Sequence, residues 1–402
     1  MPTSDEERAF LGPILADFGG DGPRLICADY LDESAQPSDI ARAEFIRIQV
    51  ALARLDDEHP IRRQLVRRQN EFLTRWQAEW TRPLRGLVSG CEFRRGLLDT
   101  VSVDARYFCE QGERLFRDSA IRRVKFLDAG AVIDRLAQCR ALANIRELDL
   151  CGNDLGNGGV NVLLRSPHLA QLVSLDLSFN GLGDNAVFQI ADARAFPCLR
   201  SLQLNDNRTI GCAAIAALAR SSAGDRLRTL DVSGNDISDA GMIAACERGA
   251  FPRLNRLRLH ANRIGDDGVA SLSGSELLAR MLKRGGTLDL RENSIGPGGA
   301  RALANAPSMA SARSLDLGGN QLRDDGVLTL AEAEFLTGLR KLSLRQNRIG
   351  DPGARHLAYS ELMGRLDSVD LSFNRIAPRT VELLWAKRKD YRTTLDCLGQ
   401  FG

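Results

Sequence analysis

A short string returns along this chain at an almost fixed interval, and that interval restricts the fold more than any other feature. Leu175-Asp176-Leu177-Ser178-Phe179-Asn180 comes back as Leu257-Arg258-Leu259-His260-Ala261-Asn262 and as Leu342-Ser343-Leu344-Arg345-Gln346-Asn347. The asparagines are the landmarks: Asn153, Asn180, Asn207, Asn235, Asn262, Asn293, Asn320, Asn347 and Asn374, separated by 27, 27, 28, 27, 31, 27, 27 and 27 residues. A period of this size marks an array of units that cannot bury their apolar faces alone and do so by stacking. Two intervals depart from it. After Asn207 the apolar position slips by one, to Ile210, and the 31-residue interval carries extra residues within 274–286, expected to bulge on the outer side or at a loop.

One unit can be read residue by residue. Leu175 and Leu177 are two apart and face one side of a short strand, and Leu172 closes the layer from the turn before. Asn is neither strand former nor core filler, but its amide can satisfy the backbone of a tight turn buried between layers. Nine in register predict an amide ladder, a structural role in every copy. Asp184, Asp239, Asp266, Asp324 and Asp351 each follow their Asn by four residues, and Pro297 and Pro378 take that place in two copies. Asp and Pro both favour the first positions of a helix. Val160, Leu163 and Leu164 then show helical spacing. Each unit therefore reads strand, turn, helix. Strands pack about 4.8 Å apart while helices need more room, so the array should curve, with a sheet edge of roughly 40 Å.

Residues 121–395 are thus similar to the leucine-rich-repeat family, in its ribonuclease-inhibitor-like class with L-x-x-L-x-L-x-x-N-x-[LI]-G-D-x-G units. The resemblance implies an α/β leucine-rich-repeat solenoid, with a curved parallel sheet on the concave face and helices on the convex face. It also implies a protein that binds another macromolecule and is not an enzyme.

The repeats proper are expected over 121–377, between a connecting helix and N-terminal cap at 59–120 and a C-terminal cap at 378–402. Upstream, Val101-Ser102-Val103 and Val124-Lys125-Phe126 look like degenerate strands around a helical stretch with Tyr107, Phe108 and Phe116. Downstream, a last helix from Pro378 carries Leu383, Leu384 and Trp385, with Trp385 expected as the lid and Thr394 to Cys397 as a last strand.

Residues 1–58 read as a small all-helical domain. Ser4 and Glu7 form a capping box ahead of Phe10, Leu11, Ile14 and Leu15. A second helix from Pro23 holds Leu25, Ile26, Tyr30 and Leu31, and a third holds Ala41, Phe45, Ile48 and Leu52. A longer helix near Pro60 carries Phe72, Leu73, Trp76 and Trp80. Ile14 to Asp17, Pro23 to Glu33 and Ala43 to Gln49 resemble the bacterial repeat-companion domain that precedes leucine-rich repeats, apart from Pro13 and extra residues at 36–40. That resemblance implies association with repeat arrays and no defined activity.

Composition narrows the function classes. Aromatic residues are only 5% and Gly numbers 37, which suits small aliphatic layers. The acidic start is no secretory signal, and no apolar run is long enough to span a membrane. Nine scattered cysteines without C-x-x-C spacing suggest free thiols in a reducing cytoplasm. The histidines at 59, 168, 260 and 356 lack metal-site spacing, and no P-loop or G-x-S-x-G is present. Asp266-Asp267-Gly268 and Asp324-Asp325-Gly326 lack the alternating oxygen ligands of a calcium loop. No cofactor and no metal are expected.

Charge is uneven under a net +2: residues 1–60 hold 5 basic and 13 acidic side chains, a net −8, and 61–125 hold 15 and 8, a net +7. Such blocks either face solvent as helix surfaces or attract each other or separate partners. The arginine pairs at 62–63, 67–68, 94–95 and 122–123 raise nucleic-acid binding as an alternative, against which Phe72, Trp76 and Trp80 fall at helical core spacing. A third reading is a bacterial effector related to ubiquitin-ligase-associated repeat proteins, although no catalytic domain accompanies the repeats.

The informative surface is the strand face between the leucines. Its middle column reads Asp149, Asp176, Gln203, Asp231, Arg258, Asp289, Asp316, Ser343, Asp370; flanking positions add Arg256, His260, Arg291, Lys341 and Arg345. Two readings stay open. The face is either a solvated polar ladder or a strip that docks a protein partner of mixed charge, acidic toward Asp149, Asp176 and Asp231, with a basic centre at Arg256, Arg258, His260 and Arg291.

Overall fold

The computed structural model describes residues 5–17, 19–55, 59–116, 119–192, 194–391 and 394–400, and the side chains of these outside 5–8 and 388–391. The Ser4–Glu7 capping box lies outside them. The chain forms two compact units, residues 1–153 with 165–172 and residues 154–164 with 173–402.

In the first unit α1 (Asp5–Ala16), α2 (Gly22–Asp32), α3 (Pro37–Arg54) and α4 (Arg62–Trp80) precede four strands: β1 (Gly90–Arg94), β2 (Leu97–Asp104), β3 (Arg123–Leu127) and β4 (Glu147–Asp149). The α3 helix is apolar on two sides. Ala43, Ile46 and Val50 pack with Ile14, Cys27, Ala28 and Leu31, while Phe45 and Ile48 pack with Phe72 and Trp80. In α2 the buried residues are Arg24, Cys27, Ala28 and Leu31, and Ile26 is exposed. The expected strands are the middles of β2 and β3, which pair in parallel, as do β3 and β4. An unforeseen β1 closes the edge by pairing antiparallel with β2. Its two-residue turn, Arg95 (φ 49°) and Gly96 (φ 85°), has the positive angles of a hairpin turn that follows strand twist. A Cβ on Gly96 would sit 2.5 Å from the Ile46 Cα, so only glycine fits against α3. Between β2 and β3, Asp104 Oδ1 accepts from the Arg106 and Tyr107 N–H groups (2.8 and 3.0 Å) and caps the Ala105–Phe116 helix.

The oppositely charged blocks meet within this unit: Arg68 pairs with Glu44 (3.0 Å) and Arg95 with Asp21 (3.1 Å). Phe72 and Trp80 are core residues.

In the second unit the three-residue strands β5 (Ser174–Asp176), β6 (Ser201–Gln203), β7 (Thr229–Asp231) and β8 (Arg256–Arg258) form one parallel set, and β9 (Thr287–Asp289), β10 (Ser314–Asp316), β11 (Lys341–Ser343), β12 (Ser368–Asp370) and β13 (Thr394–Asp396) form another. Each of β5 to β12 leads through a turn into a helix, for example Asp184–Asp192 after β5 and Asp351–Tyr359 after β11. Registers align every middle leucine, as in Leu288, Leu315 and Leu342. The middle and following leucines of the units, such as Leu175 and Leu177, are buried. The parallel ladder stops between β8 and β9, the place of the 31-residue interval. The surplus residues there build an additional helix, Glu276–Gly285, capped by Ser275, whose hydroxyl accepts from Leu278 N (3.2 Å).

The asparagine ladder continues across that gap. In the regular copies the Asn carbonyl oxygen accepts the N–H two residues past the preceding Asn: Ile237 to Asn262 (3.1 Å), Ile264 to Asn293 (3.1 Å), Ile295 to Asn320 (3.0 Å) and Leu322 to Asn347 (3.2 Å). The amide nitrogen donates to carbonyls of its own and the preceding unit, as Asn320 does to Leu317 and Leu290 (both 3.0 Å). Asn180, Asn207 and Asn374 repeat the scheme, and in the first unit Asn153 accepts from Ala129 N (2.7 Å). The one-residue slip after Asn207 has a measurable effect. Thr209 N turns back to Asn207 O (2.8 Å), and the Asn235 Oδ1 is buried without a hydrogen bond. The residue before every Asn is left-handed, with φ between 53° and 69°; Gly152, Gly234 and Gly319 accept this readily, and Phe179, Asp206, Ala261, Glu292, Gln346 and Phe373 are held there by the layers. The C-terminal cap copies the device: Gly399 (φ 65°) precedes Gln400, which accepts from Ile376 N (3.3 Å) and donates to Leu371 O (2.9 Å). In the last helix Thr380 and Leu384 are buried; Trp385, expected as the lid, is 42% exposed.

The aspartates at helix starts cap the following helix and not their own. Asp184, Asp239, Asp266 and Asp324 accept from Gly211, Gly265, Gly296 and Gly350 N–H groups (2.6, 2.6, 2.6 and 2.7 Å), and Asp351 accepts from Ala377 (2.8 Å). That last bond holds the Asp351 carboxyl below the ordinary aspartate range.

Candidate binding surface

Strand residues between the buried leucines form ranks along each parallel set. In the middle rank one carboxylate oxygen is already engaged locally. Asp149, Asp176, Asp231, Asp289, Asp316 and Asp370 each accept from the N–H two residues on, at 2.8 to 3.2 Å. Asp396 of β13 does the same (3.0 Å). This bond ends a strand after three residues and turns the chain toward the Asn. The middle rank is therefore partly structural, an Asx-type turn repeated unit after unit.

The expected basic centre lies on β8 and just past β9, and most of its cations face carboxylates. Arg258 reaches Asp231 in the neighbouring strand (3.1 Å), where the carboxylate is nearly buried. His260 and Arg291 both approach Asp289 (3.6 and 3.4 Å). Burial pushes the Asp289 carboxyl up, and Arg291 and His260 pull it back. Arg256 is exposed at the start of β8. In the first unit Arg123 approaches Asp149 (3.7 Å). Toward the C-terminal end Lys341 and Arg345 are exposed; Arg345 donates to the Ser372 hydroxyl (3.1 Å) and lies over the Phe373 ring, 3.9 Å from its centre. The geometry joins Arg256, Arg258, His260, Asp289 and Arg291 in one neighbourhood and sets Lys341, Arg345 and Asp370 in another, on β11 and β12.

Two aromatic members were overlooked. Phe179 (54% exposed) and Phe373 occupy the left-handed position before an Asn. Aligning that column, which otherwise holds Gly or a polar or small residue, would have found them.

Chemically the surface offers fixed, paired charges and small hydroxyls. Among the described residues no group of three or more His, Cys, Asp or Glu side chains is placed to hold a metal ion, and no helix is long and apolar enough to cross a membrane.

Comparison with known proteins agrees with this architecture. The family model described as Leucine Rich repeat matches residues 168–191, 227–244, 287–304, 313–331 and 337–358. Among curated human proteins, NACHT, LRR and PYD domains-containing protein 5 is 28% identical over 42% of this chain and 17% of its own length. Protein 12 of that series is 31% identical over 38% of this chain and 14% of its own. The chain thus spans less than a fifth of the relatives it matches. Among solved structures, an internalin from Listeria monocytogenes aligns with 17% identity over 74% of this chain and 86% of that one, at a TM-score of 0.43. The yeast Rad7 and Elc1 complex aligns with 13% identity over 86% of this chain and 79% of that one, at 0.40. With its matched segments falling on stacked strand–turn–helix units joined by buried asparagines, this chain is a leucine-rich-repeat protein.

Proposed function

We propose that this chain is a non-enzymatic scaffold that binds a protein partner on the exposed face of its strands. The observation that carries the reading is the set of exposed cations beside buried and half-buried carboxylates, on a frame whose turns are locked by buried amides. Such a frame presents side chains at fixed spacing with little conformational freedom to lose on docking. Arg256, Arg258, Arg291, Lys341 and Arg345 supply cations, with the His260 imidazole among them, beside the carboxylates of Asp231, Asp289 and Asp370, which suits a partner of mixed charge. Asp176 extends the acidic side of the strip.

We read residues 1–58 as a companion module to the repeats, and place the protein in a reducing, cytoplasmic compartment. Its cysteines are buried or half-buried and unlinked, and burial raises the thiols of Cys109, Cys139 and Cys246, with Cys397 at about 12. Binding of nucleic acid through 61–125 is disfavoured because Phe72 and Trp80 belong to the helical core and offer no stacking platform.

The test is affinity capture with the full chain, followed by identification of the partner and measurement of its affinity. Arg256→Glu with Arg291→Glu should weaken binding about tenfold or more, most strongly at low salt. Parent-like affinity in that variant would reject the strip.

A further inference from the structure

The interval that breaks the period also opens a groove. The Glu276–Gly285 helix ends in Lys283 and Arg284 and stops at Gly286, left-handed at φ 61°. Beside it lies a groove of about 720 Å³, whose charged lining is Lys283, Arg284, Arg313 and Arg340; glycine, alanine, serine and one leucine complete the wall. All four cations are exposed. No acidic side chain lines the groove, and among the described residues no carboxylate pairs with Lys283, Arg284 or Arg313. Glu276 at the start of the helix pairs with Arg280 (3.6 Å), and Asp367, exposed on the rung after Arg340, donates its N–H to Arg340 O (2.7 Å) outside the groove lining.

The arrangement of the cations points to a kind of ligand. Arg313 and Arg340 precede β10 and β11, whose first residues Ser314 and Lys341 are paired. Their side chains therefore rise from neighbouring rungs about 4.8 Å apart, and Lys283 and Arg284 reach the same groove from the last turn of the helix. The amides beside the two arginines are already taken. Arg313 and Ser314 both give their N–H groups to Gly286 O (2.6 and 2.9 Å), and Arg340 and Lys341 give theirs to Arg313 O (2.8 and 2.9 Å). These four amides are therefore not available to cradle a phosphate. The groove also has no aromatic ring on which a base could stack. What remains is two guanidinium forks at repeat spacing, with a further guanidinium and an ammonium from the helix end, a set that suits carboxylates carried along an extended chain.

We propose that this groove binds an acidic peptide stretch of a protein partner, its Asp and Glu side chains lying along Lys283, Arg284, Arg313 and Arg340. The proposal rests on the protein-binding reading and adds a second, charge-selective contact on the opposite margin of the strands from the asparagine turns. An unfilled cluster of like charges raises the local potential, so docking an anionic segment relieves repulsion as well as forming ion pairs.

The probe is a fluorescently labelled deca-glutamate peptide, with anisotropy measured on the full chain at low ionic strength. Arg313→Glu with Arg340→Glu should weaken binding at least about tenfold, and millimolar inorganic phosphate should not displace the peptide. Arg256→Glu with Arg291→Glu should bind it as the parent does. Thermal melting checks that the groove variant is folded; if it is not, Arg313→Gln with Arg340→Gln is measured against the same criterion. Unchanged peptide binding in the folded groove variant overturns the proposal, as does displacement by phosphate or tighter binding of single-stranded DNA of equal charge. Loss of peptide binding in the strand-face variant alone would also overturn it while leaving the scaffold reading intact. Conversely, a native partner indifferent to the strand-face variant but lost from the groove variant would support the groove and remove the strip.

Discussion

Asn347 shows what a single residue does in this array. Its Oδ1 accepts from Leu322 N (3.2 Å), its amide donates to the carbonyls of Leu317 (2.7 Å) and Arg345 (3.1 Å), and its own N–H donates to Asn374 Oδ1 (2.8 Å). Truncation would strand several buried backbone groups, so Asn347→Ala should cost about 2–4 kcal/mol in a urea melt. Asn235→Ala should cost measurably less, because its Oδ1 already has no donor. Equal losses would show that the carbonyl half of the ladder contributes nothing. The asparagines were legible because identity and period coincide. The Asp rank was only half legible. A strand-face Asp looks the same in sequence whether it meets solvent or its own backbone, and the difference depends on the strand stopping after three residues.

At the scale of elements, the helix-start aspartates tie each unit to the next, and they explain which glycines are fixed. A Cβ on Gly353 would lie 2.6 Å from the Asp324 Oδ1 that its N–H contacts, and 3.0 Å from the Asp324 Cα. Gly158, in the first turn of the Gly156–Leu164 helix, has nothing within 4 Å. Gly353→Ala should therefore destabilise by about 1–3 kcal/mol, and Gly158→Ala should stabilise by up to about 1 kcal/mol, both read as shifts in the denaturant midpoint. A similar change at both positions would mean that the second ladder is not rigid. Most elements were visible from the period: strand, turn and helix in each copy, and the degenerate strands at 101–103 and 124–126. The hairpin strand β1 was not, since it belongs to no repeat and its Arg95-Gly96 turn takes its need for glycine from Ile46, a contact distant in sequence. Length alone located the surplus residues of 274–286, but helix or loop depended on Leu277, Leu278, Met281 and Leu282 finding a buried face. Trp385 was misplaced because aromatic bulk says little about which side of a terminal helix meets the last layer, and Leu384 takes that side.

For the molecule as a whole, the central claim is that the units are interchangeable layers held by nearest-neighbour contacts. The two irregular intervals then have separate consequences: the 28-residue one leaves a buried carbonyl oxygen unsatisfied, and the 31-residue one adds a helix, interrupts the parallel strands and makes the basic groove. Neither consequence could be read from the period alone, because both depend on which backbone groups the additional residues leave in contact. The most direct measurement removes one whole layer. Deleting residues 321–347 joins Asn320 to Arg348 and preserves the 27-residue spacing to the next asparagine. A one-dimensional array should tolerate this, retaining cooperative unfolding and a parent-like circular dichroism signal per residue. Removing one residue more or fewer should destabilise the chain further than the whole-layer deletion does, because the next Asn then meets its backbone partners out of register, as Asn235 already does. A whole-layer deletion that unfolds the chain as thoroughly as the out-of-register deletions would contradict the account.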